Sequence, residues 1–231
     1  MIIVISNLTQ RLPELIDVSC VQKMNTLQDI DGMAAASKKF GFVAAFTSPG
    51  MTPYLLEKLK GVESTLVGGI VGFPAGYQLT EHKVLETEQL IKMGCREIDM
   101  VMNIGLLKSG CKQQVYQDIF AVTSRAGNIP VKVIIEVTLL SDAEIVTASR
   151  IAESAGAAFI KTGTGWCAEP TTVRHIQIIR SCLKNNTKIK AAGGIRTLET
   201  ILEMHQNGCD RFGLSTRTAV NIMESALLIE P

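Results

Sequence analysis

The sequence lacks the signatures of several protein classes. Its 231 residues carry 23 basic and 22 acidic side chains, so no excess charge draws the chain toward nucleic acid or a membrane surface. None of the six cysteines forms a Cys-x-x-Cys pair, and none falls near histidine at zinc-ligand spacing. We therefore expect a protein with no nucleic-acid partner, no membrane partner, no metal and no other cofactor.

A targeting segment is also missing from the sequence pattern. The apolar start, residues 1–6, has no basic segment before it, and Asn7, Gln10 and Arg11 soon interrupt it. A signal peptide would pair a basic segment with a longer apolar run. Scattered cysteines in a chain of this size are typical of reduced thiols. The expected location is the cytoplasm.

Short apolar runs alternate with longer amphipathic stretches along the chain. The runs predict strands, at residues 15–19, 42–48, 64–72, 97–102, 131–137, 159–163, 188–194 and 211–216. The stretches between them predict helices, among them 81–94, 115–126, 142–155, 173–183 and 198–206. Strands that alternate with helices pair in parallel and are buried on both faces.

Eight such units in a chain of this length favour an α/β fold of one kind, a single (β/α)8 TIM barrel. A doubly wound sheet that binds a dinucleotide would show Gly-x-Gly-x-x-Gly after its first strand, and this sequence has none there. No linker or low-complexity tract divides the chain. We expect residues 1–231 to form one domain.

Charged side chains fall within four neighbouring predicted strands. Side chains alternate in direction along a strand, so Asp99 shares a face with Glu97 and not with Ile98. The same alternation turns other ionisable groups to the inward face: Lys132, Glu136, Lys161 and Lys190. A lysine at a strand start usually reaches solvent at the lower rim of a barrel, which is the expectation for Lys188 and an alternative for Lys132.

The inward charges have two interpretations, an inert structural network or a reactive centre. Buried charges cost several kcal/mol unless they are paired, and two lysines beside carboxylates are well suited to tuning a pKa. A lysine amine is a nucleophile only when neutral, and burial beside a second cation can lower its pKa from about 10.4 to about 7–8. Lys190 is placed to be that cation for Lys161, and Asp99 can move protons.

Histidine does not compete for this role. His82, His175 and His205 all fall in predicted helices, where we expect them at the surface or at helix ends.

Two glycine-rich turns follow the seventh and eighth predicted strands, at residues 192–196 and 213–216. In many barrels the loops after these strands bind a phosphate through backbone N–H groups and a helix N-terminus. Ser215 and Thr216 would add hydroxyl donors. Arg196 could face the phosphate, or it could pair with Glu199 on the following helix.

Six segments carry more specific motifs: GFPAG at 72–76, EIDMVMNIG at 97–105, LKSG at 107–110, KVIIE at 132–136, FIKTGTG at 159–165 and KAAGGIRT at 190–197. Together, from about residue 64 to residue 216, they resemble the deoxyribose-phosphate aldolase family. The resemblance implies a class I aldolase without metal or cofactor, which cleaves 2-deoxy-D-ribose 5-phosphate reversibly to D-glyceraldehyde 3-phosphate and acetaldehyde.

The resemblance also implies roles for individual residues. Lys161 would form the Schiff base, Lys190 would lower the pKa of that lysine, and Asp99 would belong to the proton relay. The phosphorylated sugar would be bound by a set of residues around them: Asp17, Thr164, Gly165, Gly193, Gly194, Gly213 and Ser215. Apolar helix faces on such barrels often support dimers, so a homodimer is a further expectation.

The sequence departs from the family pattern near the expected sugar. Val18 and Ser19 replace the His-Thr of the first strand, Phe46 stands in the segment that usually holds Cys, and Gly163 replaces Ser. Trp166 adds a bulky residue, and we expect Val18, Ser19, Phe46 and Trp166 to form a wall that alters discrimination among sugars. Two alternatives stay open: a Schiff-base aldolase for another hydroxy-aldehyde, and a catalytically silent barrel that binds a phosphorylated metabolite.

Overall fold

The computed structural model describes residues 11–228, so the apolar start at 1–6 lies outside the described residues. Within that range eight parallel strands close into a barrel, because β1 pairs with β8 as well as with β2. The strands are β1 (Ile16–Cys20), β2 (Ala44–Thr47), β3 (Leu66–Val71), β4 (Glu97–Val101), β5 (Val131–Ile134), β6 (Phe159–Lys161), β7 (Lys188–Ala192) and β8 (Arg211–Ser215). The predicted (β/α)8 barrel is confirmed.

Helices surround the barrel: α1 (Leu27–Phe40), α2 (Thr52–Lys58), α3 (Thr80–Met93), α4 (Ile104–Lys108), α5 (Lys112–Ala126), α6 (Asp142–Ser154), α7 (Val173–Cys182), α8 (Leu198–Gln206) and α9 (Thr216–Leu227). Capping side chains or glycine mark several of the helix ends. Ser141 begins α6 by accepting a hydrogen bond from the backbone N–H of Glu144, whose carboxylate accepts from Ser141 in return. Gly94 ends α3 in the left-handed region at φ 118°.

The helical segments named from the sequence did not include α1, α2, α4 or α9, and most predicted strands extended too far. α1 had a usable signal, since Thr26 and Asp29 form a capping box at its start. β5 ends at Ile134 rather than at 137, because Glu136 turns out of the strand with a positive φ of 52°. Apolar residues continue past strand ends into the buried loops, so hydrophobicity alone does not mark where the strands stop.

The main apolar core lies between the barrel and its helices. It takes the outward residues of the strands, such as Ile98, Met100 and Val133, which pack against the inner faces of the helices. A second, smaller cluster inside the barrel contains Ala44 and Phe46. The remaining interior is largely charged. No helix within residues 11–228 has both the length and the apolar character needed to cross a bilayer.

A buried ion pair joins α3 to α5. The ammonium of Lys83, fully buried, donates to Asp118 Oδ2 at 2.7 Å and to the carbonyl oxygen of Val101 at 3.0 Å. Thr80 donates to the other oxygen of Asp118 at 2.8 Å. Burial lowers the pKa of Lys83 even though Asp118 opposes that change.

Replacing Asp118 with Ala should therefore destabilise the fold. The buried Lys83 would lose its carboxylate, and breaking a buried pair in this way costs about 3–5 kcal/mol. Urea unfolding followed by circular dichroism measures the loss. Lys92→Ala, which removes an exposed ion pair with Glu88 on α3, should leave the free energy of unfolding almost unchanged. Equal losses in the two variants would contradict the importance of the buried pair.

Candidate active site

A cavity of about 200 Å³ opens at the carboxyl ends of the strands. Every site residue expected from the sequence contributes to its lining: Asp17, Asp99, Lys161, Thr164, Gly165, Lys190, Gly193, Gly194, Gly213 and Ser215. These residues come from five different strands and the loops that follow them. Only the closed barrel brings them together.

Two lysines and one aspartate form the floor of the cavity. Lys161 and Lys190 are register partners on β6 and β7, so their side chains point inward side by side. Asp99 reaches them from β4, and its Oδ2 accepts from Lys161 Nζ at 2.8 Å and from Lys190 Nζ at 2.7 Å. One carboxylate oxygen thus bridges two ammonium groups.

A second set of charges lies beneath this floor. Lys132 on β5 is fully buried and contacts Asp17 Oδ2 at 2.9 Å, Glu97 Oε2, and Asp99 Oδ1 at 3.4 Å. Arg211 closes the lower end by donating to Asp17 and Glu97. The alternative of a solvent-exposed Lys132 is wrong, because its inward direction places it at the centre of the cluster.

Lys188 behaves as expected, since it is exposed at the start of β7. It lies two residues before Lys190 on the same strand, at the end of the barrel remote from the cavity. Lys188 is therefore a natural control for substitutions of the interior lysines.

The cluster holds four cations against three carboxylates. Burial lowers the pKa of Lys190 to about 8; Asp17 and Asp99 oppose this, while Lys132 and Lys161 add to it. Burial would raise the pKa of Asp99, but the ammonium groups of Lys132, Lys161 and Lys190 hold it well below its usual range. Lys190 therefore loses its proton more easily than an ordinary lysine.

Asp17 is buried within this network of charges and is in contact with its cations. Its Oδ2 lies 2.6 Å from Lys190 Nζ, and its Oδ1 accepts from Arg211 at 2.8 Å. Burial would raise the pKa of Asp17, but Lys132, Lys190 and Arg211 together keep it far below the ordinary value. Asp17 thus helps to hold Lys190 in position.

Glu136 stands apart from the lysines, although the strand pattern grouped it with them. The chain leaves β5 before Glu136, and its carboxylate turns to the loop after β6. There it accepts from the Thr164 hydroxyl at 2.5 Å and from the Thr164 backbone N–H at 3.1 Å. Glu136 therefore shapes the turn that follows Lys161.

The glycine turns line the opposite side of the cavity. Gly193 and Gly194 have positive φ values of 98° and 76°, and a Cβ on Gly194 would overlap Pro170. Ser215 caps α9, accepting from the Thr218 backbone N–H at 3.2 Å, so the positive end of that helix faces the same space. Arg196 also lines the cavity, and among the described residues it has no ion pair with Glu199.

The described part of the chain has no cluster of side chains that could bind a metal ion. Within residues 11–228 no three His, Cys, Asp or Glu side chains are arranged to hold a metal ion. The three histidines lie in helices, as expected: His82 is exposed on α3, His175 completes the N-terminal cap of α7, and His205 contacts the carbonyl of Cys209.

Comparisons with known proteins point to one family of enzymes. The sequence model of the DeoC/LacD family of aldolases matches residues 17–215. A deoxyribose-phosphate aldolase from Sinorhizobium medicae is 42% identical over 212 residues, 92% of this chain and 86% of that protein. This chain belongs to the DeoC/LacD aldolase family.

Two further proteins are similar to this chain over most of its length. A deoxyribose-phosphate aldolase from Methanothermobacter thermautotrophicus is 41% identical over 216 residues, covering 93% of this chain and 95% of that protein. The structure of the deoxyribose phosphate aldolase from Aeropyrum pernix, described as a unique tetramer, has a TM-score of 0.83 at 25% identity. That superposition covers 97% of this chain and 96% of the other.

Only some of the residues that depart from the family pattern line the cavity, so the expected wall is partly present. Ser19 and Phe46 line the cavity. Val18 instead points outward into the core between barrel and helices, because it has the opposite parity to Asp17. Trp166 is not among the lining residues; its ring meets the edge of Phe73, which does line the cavity.

Sequence reasoning missed the apolar residues that complete this wall. Val21, Ile70 and Phe73 line the cavity beside Phe46. Phe73 lies inside the GFPAG motif, which the sequence had already singled out. The motif alone does not indicate which of its side chains faces the cavity. Ile70 precedes it at the end of β3.

Gly163, where the family usually has Ser, leaves room for Glu136. A Cβ at this position would lie 2.6 Å from Glu136 Oε1 and 3.2 Å from the Ala192 carbonyl oxygen. Gly163→Ala should push the carboxylate off Thr164 and lower the free energy of unfolding by about 1–3 kcal/mol. Chemical unfolding measures the change.

The matched control is Gly32→Ala on α1, where a Cβ would meet no atom within 4 Å. Alanine should stabilise that helix by up to about 1 kcal/mol. If Gly163→Ala proved as stable as the unaltered protein, Glu136 would have room to move and would not fix the turn.

Proposed function

We propose that this protein is a class I aldolase that reversibly cleaves 2-deoxy-D-ribose 5-phosphate to D-glyceraldehyde 3-phosphate and acetaldehyde through a Schiff base on Lys161. One observation carries the proposal: Asp99 Oδ2 bridges Lys161 and Lys190 on the floor of a cavity whose far side is built from glycine turns. Membership of the DeoC/LacD family supports the same activity.

The first task is to produce a neutral amine. Lys190, with a pKa of about 8, is a base near neutral pH, and only the Asp99 oxygen separates it from Lys161. A proton can pass from the Lys161 ammonium through Asp99 to Lys190. Lys161 is the better placed nucleophile, because its side chain is 9% exposed at the cavity while that of Lys190 is 2% exposed.

The neutral Lys161 amine then attacks the C1 aldehyde of the sugar, and loss of water gives a protonated imine. A base removes the proton from the C3 hydroxyl, the C2–C3 bond breaks, and its electron pair moves into the imine to form an enamine. Glyceraldehyde 3-phosphate leaves. Protonation of the enamine at C2 and hydrolysis of the imine release acetaldehyde. The iminium nitrogen is the electron sink, so this route requires no cofactor.

Asp99 is suited to the proton transfers. Its Oδ1 is buried without a hydrogen-bond donor among the described residues, with only the Lys132 ammonium at 3.4 Å. That oxygen can accept a proton directly or through a water molecule. Proton transfer by a positioned group contributes about 10²–10⁴-fold to a rate.

The phosphate would bind at the glycine turns. Backbone N–H groups of Gly193 and Gly194 and the N-terminus of α9 at Ser215 supply donors without a competing carboxylate. Gly165 and Gly213 let the substrate approach the backbone closely. Thr164, tied to Glu136, would orient the turn beneath the sugar rather than bind it directly.

The setting of the enzyme is part of the same proposal. We propose one domain over residues 1–231 and a cytoplasmic location, which the six free thiols support. A phosphorylated sugar is the partner that the cavity would admit. A homodimer remains our expectation for the assembly.

The imine should form on Lys161 alone. Borohydride reduction in the presence of acetaldehyde should leave one stable adduct on the unaltered protein, at a peptide containing Lys161. Lys161→Arg should give no adduct and no detectable cleavage, because a guanidinium forms no imine. Lys188→Arg, on the exposed end of β7, is the control and should react normally. Undiminished turnover by Lys161→Arg would refute the mechanism.

Loss of the phosphate should lower kcat/KM at least about tenfold, equivalent to about 1.4 kcal/mol of transition-state binding. Kinetics with deoxyribose 5-phosphate and with free deoxyribose measure this. Gly194→Ala should reduce cleavage of the phosphate ester and spare that of the free sugar, because its Cβ would disturb the turn at Pro170.

Gly50→Ala is the control for that substitution. Gly50 lies in the loop after β2, at the same end of the barrel, and a Cβ there would meet no atom within 4 Å. Equal cleavage of both sugars would contradict the phosphate site. A more than tenfold preference for another sugar phosphate would assign a different substrate to the same chemistry.

A further inference from the structure

Phe46 occupies an unusual position inside the barrel. It lies on β2, is 2% exposed, and lines the cavity. Its ring centroid is 4.4 Å from Lys190 Nζ and 4.6 Å from Lys132 Nζ. A large apolar ring therefore covers two of the four cations of the interior cluster.

The neighbouring strand is built to admit this ring. Gly68 on β3 is the register partner of Phe46, and a Cβ on Gly68 would overlap Cε1 and Cζ of the ring and lie 2.7 Å from Cδ1. Gly68 does not have a positive φ, so its backbone conformation does not itself require glycine. The absence of a side chain at Gly68 is what makes room for the ring.

Apolar side chains also pack around the ring. Phe46 packs with Ala44 and Ile70, and Val21 and Phe73 lie against this cluster. Lys190, which forms part of the cavity floor, therefore has an apolar wall on its β2–β3 side. The lysine is in turn 1% exposed.

Lys190 is surrounded by charges from every other side. Asp17 on β1 and Asp99 on β4 face its ammonium at 2.6 and 2.7 Å. Lys132 on β5 and Lys161 on β6 oppose its charge. Glu97 and Arg211 complete the cluster below. Within the described residues, the β2–β3 side is the one that contributes no charge to this lysine.

We propose that Phe46 is a positioning residue that keeps water from Lys190 and so holds this lysine ready to act as a base at neutral to mildly alkaline pH. The importance of that base for turnover rests on the function proposed above. The effect of Phe46 on Lys190 does not, and it can be measured without substrate.

The ring of Phe46 acts on Lys190 in two opposing ways. A ring face favours an ammonium, and even a desolvated contact of this kind would raise a lysine pKa by only about 1–1.5. Exclusion of water disfavours the ammonium and can lower the pKa of a fully buried lysine by up to about 3–5. Because exclusion of water has the stronger effect on the pKa, loss of the ring should favour the charged form of Lys190.

The test compares Phe46→Ala with Phe46→Leu. Alanine opens a path for water, whereas leucine keeps an apolar side chain without ring electrons. The ¹³Cε resonance of Lys190, assigned by its absence in Lys190→Met, should be titrated in each protein. Phe46→Ala should raise the pKa of Lys190 by about 1 or more. Phe46→Leu should leave it unchanged or lower it.

The rate of imine trapping with acetaldehyde should follow the titration. For Phe46→Ala it should fall about tenfold at pH 7.5 and recover as the pH is raised. If Phe46→Ala does not fold, Gly68→Ala provides a second route, since its Cβ displaces the ring from Lys190 and should raise the same pKa.

An unchanged Lys190 titration in Phe46→Ala, or in Gly68→Ala where the first variant does not fold, would overturn the proposal. A purely structural role would lower the unfolding free energy and leave the titration where it was. If the titration moves as expected but no adduct is trapped on Lys161 in any variant, the proposed function fails and the inference about Phe46 stands.

Discussion

The interior of this barrel depends on a balance between four cations and three carboxylates. Each carboxylate contacts at least two cations, and Lys132 contacts all three carboxylates. Isolated charges would be too costly in such a place, because burial penalises each by several kcal/mol unless pairing is nearly complete. The single excess positive charge makes one proton easy to lose. Burial lowers the pKa of Lys190 on the cavity floor to about 8, so this lysine can release a proton near neutral pH.

Different sides of the cavity above the charge cluster present different kinds of chemical groups. The reactive groups come from β4, β6 and β7, where Asp99 bridges two lysines. The turns after β7 and β8 present backbone donors and a helix N-terminus, which suit an anion. The β2–β3 side presents the apolar side chains of Phe46 and Ile70. A phosphorylated aldehyde placed across this space would have its charge and its carbonyl carbon at opposite ends.

The closed sheet holds these parts at fixed distances. Neighbouring strands keep their register through parallel pairing, so Lys161 and Lys190 stay side by side whatever occupies the cavity. Outside the sheet, helices cover the outward-facing side chains of the same strands. Ion pairs such as that of Lys83 with Asp118 connect one helix to another. Rigid strands beneath adaptable loops are the usual arrangement of this fold, with chemistry at the carboxyl ends.

Periodicity and motif were enough to predict the barrel, the inward parity of Lys161, Lys190 and Asp99, and the glycine turns that line the cavity. These features are local, because alternation along one strand decides which side chains face inward. The sequence did not reveal that Glu136 leaves its strand or that Val18 faces the outer core. Nor could it reveal that Phe46 fits over Gly68, since each of these depends on where a strand ends or on which residue lies opposite in the next strand. The composition of the charge cluster was likewise decided only in three dimensions, because its members meet across the barrel from strands far apart in the chain.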